Sequence, residues 1–290
     1  MLANQIIKDY TTFKIGGAVR YLSVCKSIED LLEALTWCNG QGLPWFILGN
    51  GSNILVSDDG FPGLVIKLGG RFKKVKFDEN TVEVGAGVFL PVLSQRFLEM
   101  QWGGFEFMCD IPGTIGGALR LNAGTKQGEI KDHFISAMIL TTGGEVKSIC
   151  KEEMGFAYRH SSFSETRDIA LSALFSLPFL EDRESILEKR KRIILGRRQK
   201  QPRNRRNCGS VFKSFPGQKP AGWYIDRAGL KGTRMGDAMV AYEHANWIVN
   251  LGNAKAEHVK SLIEKIQNEV FRKFDITLER ELIFVPEDIL

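Results

Sequence analysis

"DIPGTIGGALRLNAG" (residues 110–124) and "LGNGSNILV" (residues 48–56) are two glycine-rich stretches of the sequence. Both combine glycines, which lack a Cβ, with short polar side chains, so that backbone N–H groups can approach a bound anion closely. Neither contains the Gly-Lys-Ser/Thr of a Walker loop, and neither reads as G-x-G-x-x-G between a strand and a helix with a later acidic residue. Two such loops favour a long diphosphate ligand that lies between two subdomains.

The predicted ligand-binding residues come from both loops. They are Gly49, Asn50, Gly51, Ser52 and Asn53 in the first, and Ile111, Pro112, Gly113, Thr114, Gly116 and Gly117 in the second.

Length and composition indicate a globular protein with more than one domain. The chain has 290 residues, of which 43% are hydrophobic and 25% charged, so two or three packed domains are predicted. The sequence begins without an apolar signal segment, and no stretch approaches the roughly 18 apolar residues of a membrane-spanning helix. The five cysteines are odd in number and never spaced C-x-x-C, which argues against a disulfide framework or a metal site and favours the reducing cytoplasm.

Hydrophobic patterns predict an α+β fold. Ser27 begins a helix that stops at Gly40, another helix opens near Pro91, and a hairpin turns at Gly143-Gly144. Strands and helices do not alternate as regularly as in a doubly wound sheet, which indicates the α+β class. Domain boundaries are predicted near residues 75–80 and 183. The predicted domains are 1–78, 79–182 and 183–290. A last amphipathic helix carries an apolar stripe, formed by Val259, Leu262, Ile263, Ile266, Val270, Phe271 and Phe274.

A strongly basic segment extends from Lys189 to Arg206 and contains ten Lys or Arg residues in 18 positions. Such a segment can bind nucleic acid, form a solvated helix face, or line a site for an anionic small substrate. The segment lacks the interleaved aromatic residues that stack on bases, so nucleic-acid binding is the weaker interpretation.

Several motifs in one order resemble a known family. "TTFKIGGAVRYL", "LGNGSNILVSDDGF", "IPGTIGGALRLNAG", "YRHSSF", "CGSVFK", "HANWIVN" and "LERELIFV" together resemble the UDP-N-acetylenolpyruvoylglucosamine reductase family. The resemblance implies a two-subdomain FAD-binding fold of the vanillyl-alcohol-oxidase type and a C-terminal α/β substrate domain. It implies FAD with its diphosphate against the two glycine-rich loops. Neither loop contains a histidine for covalent attachment, so non-covalent FAD is expected.

The resemblance also implies a reaction. NADPH reduces FAD, a hydride then reaches the methylene carbon of an enolpyruvyl ether on a UDP-sugar, and the neighbouring carbon takes a proton. Arg159 matches the family residue that grips the substrate carboxylate, and Ser210 matches the proposed proton donor. Glu281 matches the glutamate that shares a proton with that carboxylate, and the role requires Glu281 to be protonated.

Some assignments stay open at the level of sequence. Glu279 stands two residues before Glu281, on the same face of a strand, and competes for its role. Tyr158, Lys213, His244 and Asn246 are predicted to contact the substrate, although His244 and Asn246 are as compatible with a structural role. Cys208 is predicted to pack rather than react.

The chain corresponds to the shorter form of the family, because Arg159 and Ser210 are too close in sequence for an inserted tyrosine-bearing loop. The expected protein is a cytoplasmic monomer that neither binds nucleic acid nor inserts into a membrane. The main alternative is another FAD-dependent oxidoreductase of the same fold. An oxidase, however, has no carbanion to protonate and no need for the combination of Arg159, Ser210 and Glu281.

Overall fold

The structure, a computed structural model, describes residues 1–202, 205–214 and 217–289. The helices are α1 (Ile28–Gly40), α2 (Leu90–Glu99), α3 (Ile115–Arg120), α4 (Arg183–Arg198), α5 (Ala221–Arg227) and α6 (Ala256–Phe274). The strands of the first half are β1 (Leu2–Ile6), β2 (Ala18–Cys25), β3 (Trp45–Ile47), β4 (Ile54–Val56), β5 (Phe61–Leu68), β6 (Val75–Phe77), β7 (Thr81–Gly85), β8 (Gly124–Thr125), β9 (Gly128–Glu129) and β10 (Phe134–Leu140). Those of the second half are β11 (Val146–Cys150), β12 (Ile169–Ser176), β13 (Arg206–Ser210), β14 (Arg234–Met235), β15 (Ala238–Val240), β16 (Trp247–Asn250) and β17 (Ile283–Val285).

The chain forms two compact units. The terminal unit contains Met1–Leu22, Gly51–Leu64 and Arg197–Leu290, and the central unit contains Ser23–Asn50 and Val65–Gly196. Strands β2 and β5 and helix α4 each have residues in both units. The first glycine-rich loop is also divided, since Gly49 and Asn50 belong to the central unit and Gly51 to Asn53 belong to the terminal unit. The three-domain division with boundaries after residues 78 and 182 stays a prediction.

An antiparallel sheet with the strand order β11-β10-β12-β7-β6 forms the framework of the central unit. The predicted hairpin at Gly143-Gly144 is confirmed: Leu140 pairs with Val146, and Gly144 has a φ of +83°, which favours glycine. Phe97 and Phe105 stack in the core with ring centroids 3.9 Å apart.

The starts of two helices in the central unit follow from their sequence. The Ser27 hydroxyl accepts the Asp30 N–H at 3.2 Å, so α1 begins at its predicted cap and ends at Gly40 as predicted. Helix α2 has Pro91 in its first turn, where the missing N–H removes no helical hydrogen bond. The predicted helix near Pro91 is therefore confirmed.

A second antiparallel sheet, with the order β13-β16-β15-β14, forms the centre of the terminal unit. Helix α6 packs on β14 and β15, and its N-terminus is capped by Asp58, whose carboxylate accepts the Ala256 N–H at 2.8 Å. In the same unit, β17 runs parallel to β4 and pairs Phe284 with Leu55.

The predicted apolar stripe of α6 is correct except at one position. The side chain of Phe271 is 54% exposed, whereas Val270 beside it is fully buried. At about 100° per residue, Phe271 turns away from the face that Val270 buries. Val259, Leu262, Ile263 and Ile266 are buried as predicted. Within the part of the chain that the structure describes, no helix combines the length and apolar character needed to cross a membrane.

Candidate active site

The two glycine-rich loops meet inside the central unit. Gly49 packs so closely on the second loop that a Cβ at this position would lie 2.7 Å from the Thr114 hydroxyl oxygen. The side-chain amide of Asn50 donates a hydrogen bond to the Pro112 carbonyl at 3.0 Å. Only glycine therefore allows this approach at position 49, and the polar tips of the two loops lie side by side.

Groups that suit a bound anion surround this junction. The backbone N–H groups of Asn50 and Thr114 donate to no acceptor among the described residues. The ammonium group of Lys67 donates to the Gly49 carbonyl at 2.8 Å, and burial, with a smaller effect of Lys73, lowers the pKa of Lys67. Available N–H groups beside a partly buried cation are what a diphosphate requires. The residues present therefore fit the FAD that the resemblance implies.

The remaining glycines of the second loop shape its backbone. The Thr114 hydroxyl accepts the Gly117 N–H at 3.5 Å and caps α3. The Gly116 N–H donates to the Ala86 carbonyl at 2.8 Å, and a Cβ on Gly116 would lie 3.3 Å from Ala86. The Gly113 carbonyl accepts a backbone N–H from the first residue of α2 at 2.9 Å. Direct cofactor contacts by this loop stay predictions, including those of Ile111, Pro112, Gly113, Gly116 and Gly117.

The terminal unit contains the rest of the first loop, residues Gly51 to Asn53. Thr12 fixes Gly51, since its N–H donates to the Gly51 carbonyl at 3.1 Å and its hydroxyl donates to the Asn207 carbonyl at 2.7 Å. At the other end, the Asn53 amide donates to the Glu281 carbonyl at 3.1 Å. The loop is thus bound to two distant segments of its own unit. Cofactor contacts by Gly51, Ser52 and Asn53 stay predictions.

Ser210 ends β13 directly after a β-bulge. Asn207 pairs with Val249 and Ser210 with Trp247, so three steps along β13 match two along β16. Gly209 occupies the bulge with a φ of +81°, and its N–H donates to the Asn207 side chain at 3.1 Å. A bulge redirects the neighbouring side chains. The half-buried Ser210 hydroxyl makes no hydrogen bond with any described residue, which leaves it able to bind a ligand.

Glu281 lies beside this strand. Its N–H donates to the Val211 carbonyl at 2.8 Å, and the Lys213 N–H donates to the Glu279 carbonyl at 2.9 Å. The structure therefore brings the predicted catalytic residues Ser210 and Glu281 together on neighbouring extended segments. The Glu279 carboxylate forms an ion pair with the Lys213 ammonium group. The ion pair engages the Glu279 carboxylate, and the role of Glu281 as the acid stays a prediction.

Cys208 lies on β13, two residues before Ser210. It is 1% exposed. Burial raises the pKa of the Cys208 thiol far above its ordinary value, and the nearby Glu281 carboxylate also raises it. Only the thiolate is an efficient nucleophile, so Cys208 is unreactive at neutral pH. Its predicted packing role is confirmed.

Asn246 and His244 hold the backbone next to Ser210. The Asn246 side chain accepts the Phe212 N–H at 3.0 Å and donates to the Phe212 carbonyl at 2.8 Å. The His244 ring accepts the Asn246 N–H at 3.2 Å, and burial, with a smaller effect of Lys231, lowers the pKa of His244. These contacts give both residues a structural role. Their contact with the substrate stays a prediction.

Tyr158 and Arg159 form the tip of a tight turn in the central unit. Ala157 and His160 exchange both of their backbone hydrogen bonds, at 3.1 and 3.2 Å. Arg159 has a φ of +54°, in the left-handed region that few residues other than glycine adopt. Its guanidinium lies 5.0 Å from the centre of the Tyr158 ring and donates to the Gly124 carbonyl at 3.4 Å. The turn thus presents a planar cation that is supported by an aromatic ring.

Comparison with known proteins reveals the relationship of the whole chain. The profile of the UDP-N-acetylenolpyruvoylglucosamine reductase C-terminal domain matches residues 201–285, and that of an FAD binding domain matches residues 19–149. The UDP-N-acetylenolpyruvoylglucosamine reductase of Caldicellulosiruptor saccharolyticus is 40% identical over 287 residues, which are 99% of this chain and 92% of that protein. The chain belongs to the UDP-N-acetylenolpyruvoylglucosamine reductase family.

Further relatives extend this result to the fold. The UDP-N-acetylenolpyruvoylglucosamine reductase of Listeria innocua is 39% identical and covers 98% of this chain and 95% of its own. The crystal structure of the reductase MurB from Thermus caldophilus has a TM-score of 0.85 and 36% identity, and the match covers 99% of both chains. The predicted family is therefore confirmed. So is the predicted fold class, an α+β chain with an FAD-binding fold of the vanillyl-alcohol-oxidase type and a C-terminal domain.

Four residues that the sequence does not predict contact the glycine-rich loops or the Arg159 turn. Lys67 and Thr12 are single polar residues whose importance depends on contacts with the first loop. Arg120 and Asn122 stand inside the second glycine-rich motif and contact the Arg159 turn. Their position in that motif was the signal that could have indicated them.

Ion pairs neutralise part of the positive charge of the basic segment from Lys189 to Arg206. Lys189 forms an ion pair with Glu181 at 2.6 Å, and Arg192 forms one with Glu188 at 3.1 Å. Arg190 is buried and donates to the Ser94 carbonyl at 2.6 Å. These members stabilise α4 and its packing. Arg203, another member of the segment, lies outside the described residues.

Proposed function

We propose that the protein is an NADPH-dependent reductase that converts UDP-N-acetylglucosamine enolpyruvate to UDP-N-acetylmuramate for peptidoglycan synthesis. The observation that carries this proposal is 40% identity to a UDP-N-acetylenolpyruvoylglucosamine reductase across 99% of the chain. The protein is an oxidoreductase with an FAD-binding domain at residues 19–149. FAD, reduced by NADPH, supplies the hydride.

The chemistry gives Arg159 a defined role. Hydride addition to the methylene carbon of the enolpyruvyl group leaves negative charge that spreads into the adjacent carboxylate. A guanidinium at that carboxylate stabilises the charge, and its planar fork can donate two parallel hydrogen bonds to the two oxygens. Loss of one such donor from a water-excluded site costs on the order of 3 kcal/mol.

Ser210 and Glu281 handle protons in this proposal. Ser210 donates a proton to the carbon next to the carboxylate, where the developing enolate is a strong enough base to take it from a hydroxyl. Glu281, in its protonated form, shares a proton with the substrate carboxylate. The pairing of Glu279 with Lys213 supports this choice of glutamate. Lys213, Tyr158, His244 and Asn246 are proposed to contact the substrate.

The protein is proposed to act in the cytoplasm as a monomer that binds a UDP-sugar and NADPH but no nucleic acid. Five free cysteines suit a reducing compartment. The ion pairs of Lys189 and Arg192 reduce the positive charge that a nucleic acid would require.

Purified protein provides the direct test. It should be yellow with flavin absorbance, and NADPH should be consumed rapidly only when the enolpyruvyl UDP-sugar is added under anaerobic conditions. Oxygen-dependent turnover of a small alcohol, without turnover of the UDP-sugar, would instead support an oxidase of the same fold. Colourless protein that cannot be reconstituted with FAD would contradict both.

The Gly49→Ala variant tests the cofactor site. The added methyl group would overpack against Thr114, which costs about 1–3 kcal/mol, so FAD affinity should fall about 5- to 150-fold. Flavin titration of the apoprotein measures this change. Gly196→Ala is the matched control, because a Cβ at Gly196 meets no atom within 4 Å. Equal FAD affinity of the two variants would place the cofactor elsewhere.

A further inference from the structure

The Arg159 turn needs support from its surroundings. A non-glycine residue with a φ of +54° is strained, and such a conformation persists only where neighbouring groups determine it. The two backbone hydrogen bonds between Ala157 and His160 close the turn, and the Ser162 N–H donates to the Met154 carbonyl at 2.8 Å. The end of α3 adds a further set of contacts to this backbone support.

Arg120, the last residue of α3, binds the segment after the turn in two ways. Its guanidinium donates to the Phe163 carbonyl and, at 3.3 Å, to the Ser164 carbonyl. Its own carbonyl accepts the hydroxyls of Ser161 and Ser164, each at 2.9 Å. Four hydrogen bonds thus connect a single residue of α3 to residues 161–164, a stretch that begins two positions after Arg159.

Asn122 binds the start of the same turn. Its side chain is fully buried, and its amide group donates to the Ala157 carbonyl at 3.1 Å and to Glu129 at 2.9 Å. The side-chain oxygen accepts the Lys131 N–H at 3.1 Å, so all of these contacts hold Asn122 in one orientation. The segment from Arg120 to Asn122 therefore forms hydrogen bonds with the residues before and after Arg159.

The choice of arginine at position 120 follows from geometry and charge. Two carbonyls that lie on adjacent residues need two donors in a fixed fork, which a lysine does not have. Burial lowers the pKa of Arg120, and no carboxylate forms an ion pair with it among residues 1–202, 205–214 and 217–289. An arginine guanidinium nevertheless stays protonated at neutral pH, so Arg120 carries a partly buried positive charge.

We propose that Arg120 is a positioning residue that fixes the turn of residues 157–164 and thereby orients the Arg159 guanidinium for the substrate carboxylate. This inference rests on the role proposed for Arg159. Arg120 also ends the helix that follows the second glycine-rich loop. The cofactor-binding loop and the carboxylate-binding turn are consequently joined through one short helix of the central unit.

The first experiment separates the two half-reactions by anaerobic stopped-flow on FAD-loaded protein. Arg120→Met should raise the substrate KM and slow flavin reoxidation by the enolpyruvyl UDP-sugar about 10- to 100-fold, since small misplacements of a positioning group have effects of this size. Flavin reduction by NADPH should change less than about twofold. Arg120→Lys should recover only part of the loss, because its ammonium can donate to one of the two carbonyls but lacks the fork that reaches both. Arg96→Met, which removes an exposed guanidinium from α2, is the control and should behave like wild type.

A double-variant cycle identifies the route of the effect. If Arg120 acts through Arg159, then adding Arg120→Met to an Arg159→Met protein should change reoxidation less than about twofold. Fully additive losses would show that Arg120 acts independently of Arg159 and would overturn the proposal. Equal slowing of both half-reactions in Arg120→Met, with loss of bound flavin, would indicate a general folding defect and would also overturn it.

Amide hydrogen exchange gives a readout that needs no substrate. In Arg120→Met, the peptide covering residues 157–165 should exchange faster than in wild type and in Arg96→Met, while peptides from α6 should not change. Unchanged exchange in this peptide contradicts the positioning role. A wild-type protein that binds FAD but does not turn over the UDP-sugar contradicts the proposed function instead, and the exchange result still decides whether Arg120 holds the turn.

Discussion

Two regions that carry the predicted catalytic residues are built on different principles. Ser210 and Glu281 lie on neighbouring extended segments whose backbones hydrogen-bond to each other and to β16. Arg159 lies at a left-handed turn that is closed by two backbone hydrogen bonds between Ala157 and His160 and is further held by Arg120 and Asn122. The Ser210 segment has several backbone pairs in addition to the Asn246 side-chain contacts, whereas the turn has one backbone pair and relies more on two side chains. Substitutions outside the reacting groups should therefore damage the Arg159 turn more than the Ser210 strand.

The largest effect is expected for Ser210→Ala, which removes the proposed proton donor and leaves the strand intact. Flavin reoxidation by substrate should slow about 10³-fold, within the range of general acid catalysis, while flavin reduction by NADPH persists. Stopped-flow absorbance of the two half-reactions measures this. Cys208→Ala, on the same strand, is the control and should keep the substrate half-reaction within about fivefold, because its thiol is neutral and buried. Equal slowing of both half-reactions in Ser210→Ala would remove Ser210 from its role.

Arg159→Lys tests whether the turn must present a planar fork. The lysine keeps the charge but loses the two-pronged contact with a carboxylate, so kcat/KM for the substrate should fall about 10²-fold. Steady-state kinetics with varied substrate provides the measurement. Arg167→Lys, an exposed position beyond the same turn, is the matched control. Wild-type kinetics in Arg159→Lys would show that charge alone is sufficient.

Substitution of Glu281 should slow the reaction less than the changes above, and substitution of Glu279 should slow it less again. Glu281→Gln removes the proposed shared proton and should slow reoxidation about 30-fold, less than loss of Ser210 because the amide can still donate a hydrogen bond. Glu279→Gln weakens only the ion pair with Lys213, so its effect should stay below about threefold. Stopped-flow of both variants in parallel decides between them. The reverse order would assign the acid to Glu279.

The smallest effect concerns Cys208. Because burial raises the pKa of its thiol, iodoacetamide at pH 8 should alkylate the exposed Cys150 but leave Cys208 unmodified in the native protein. The same shift stabilises the folded state below the thiol pKa of the unfolded chain, about 8.5, and this contribution is lost as pH rises above that value. Peptide mapping by mass spectrometry measures the labelling. Rapid native alkylation of Cys208 would show that the strand opens.

Local signals predicted much of the fold. Ser27 and Gly40 bounded their helix because capping and termination depend on nearby residues. The glycine-rich loops were recognisable because Gly49 is required by a close backbone approach. The prediction is wrong for Phe271 because the apolar stripe of the sequence is wider than the face of α6 that the fold buries.

Contacts between distant residues limited the prediction of the site. The choice between Glu279 and Glu281 depends on Lys213, which is 66 positions away from Glu279, and no spacing rule connects them. Arg120 contacts the Phe163 carbonyl across 43 positions. Alternation places both glutamates on one face of a strand, but only the folded structure shows that Glu279 pairs with Lys213.

The parallel pairing of β17 with β4 has a consequence for biosynthesis. Ile283 lies beside Ile54 and Val285 beside Val56, so a strand next to the first glycine-rich loop receives its neighbour from the end of the chain. The ribosome completes every residue of the central unit before it reaches residue 197, and that unit can fold while translation continues. The terminal unit must wait for the last residues to emerge. A message cut short near codon 282 should therefore yield a folded central unit attached to ends that cannot assemble.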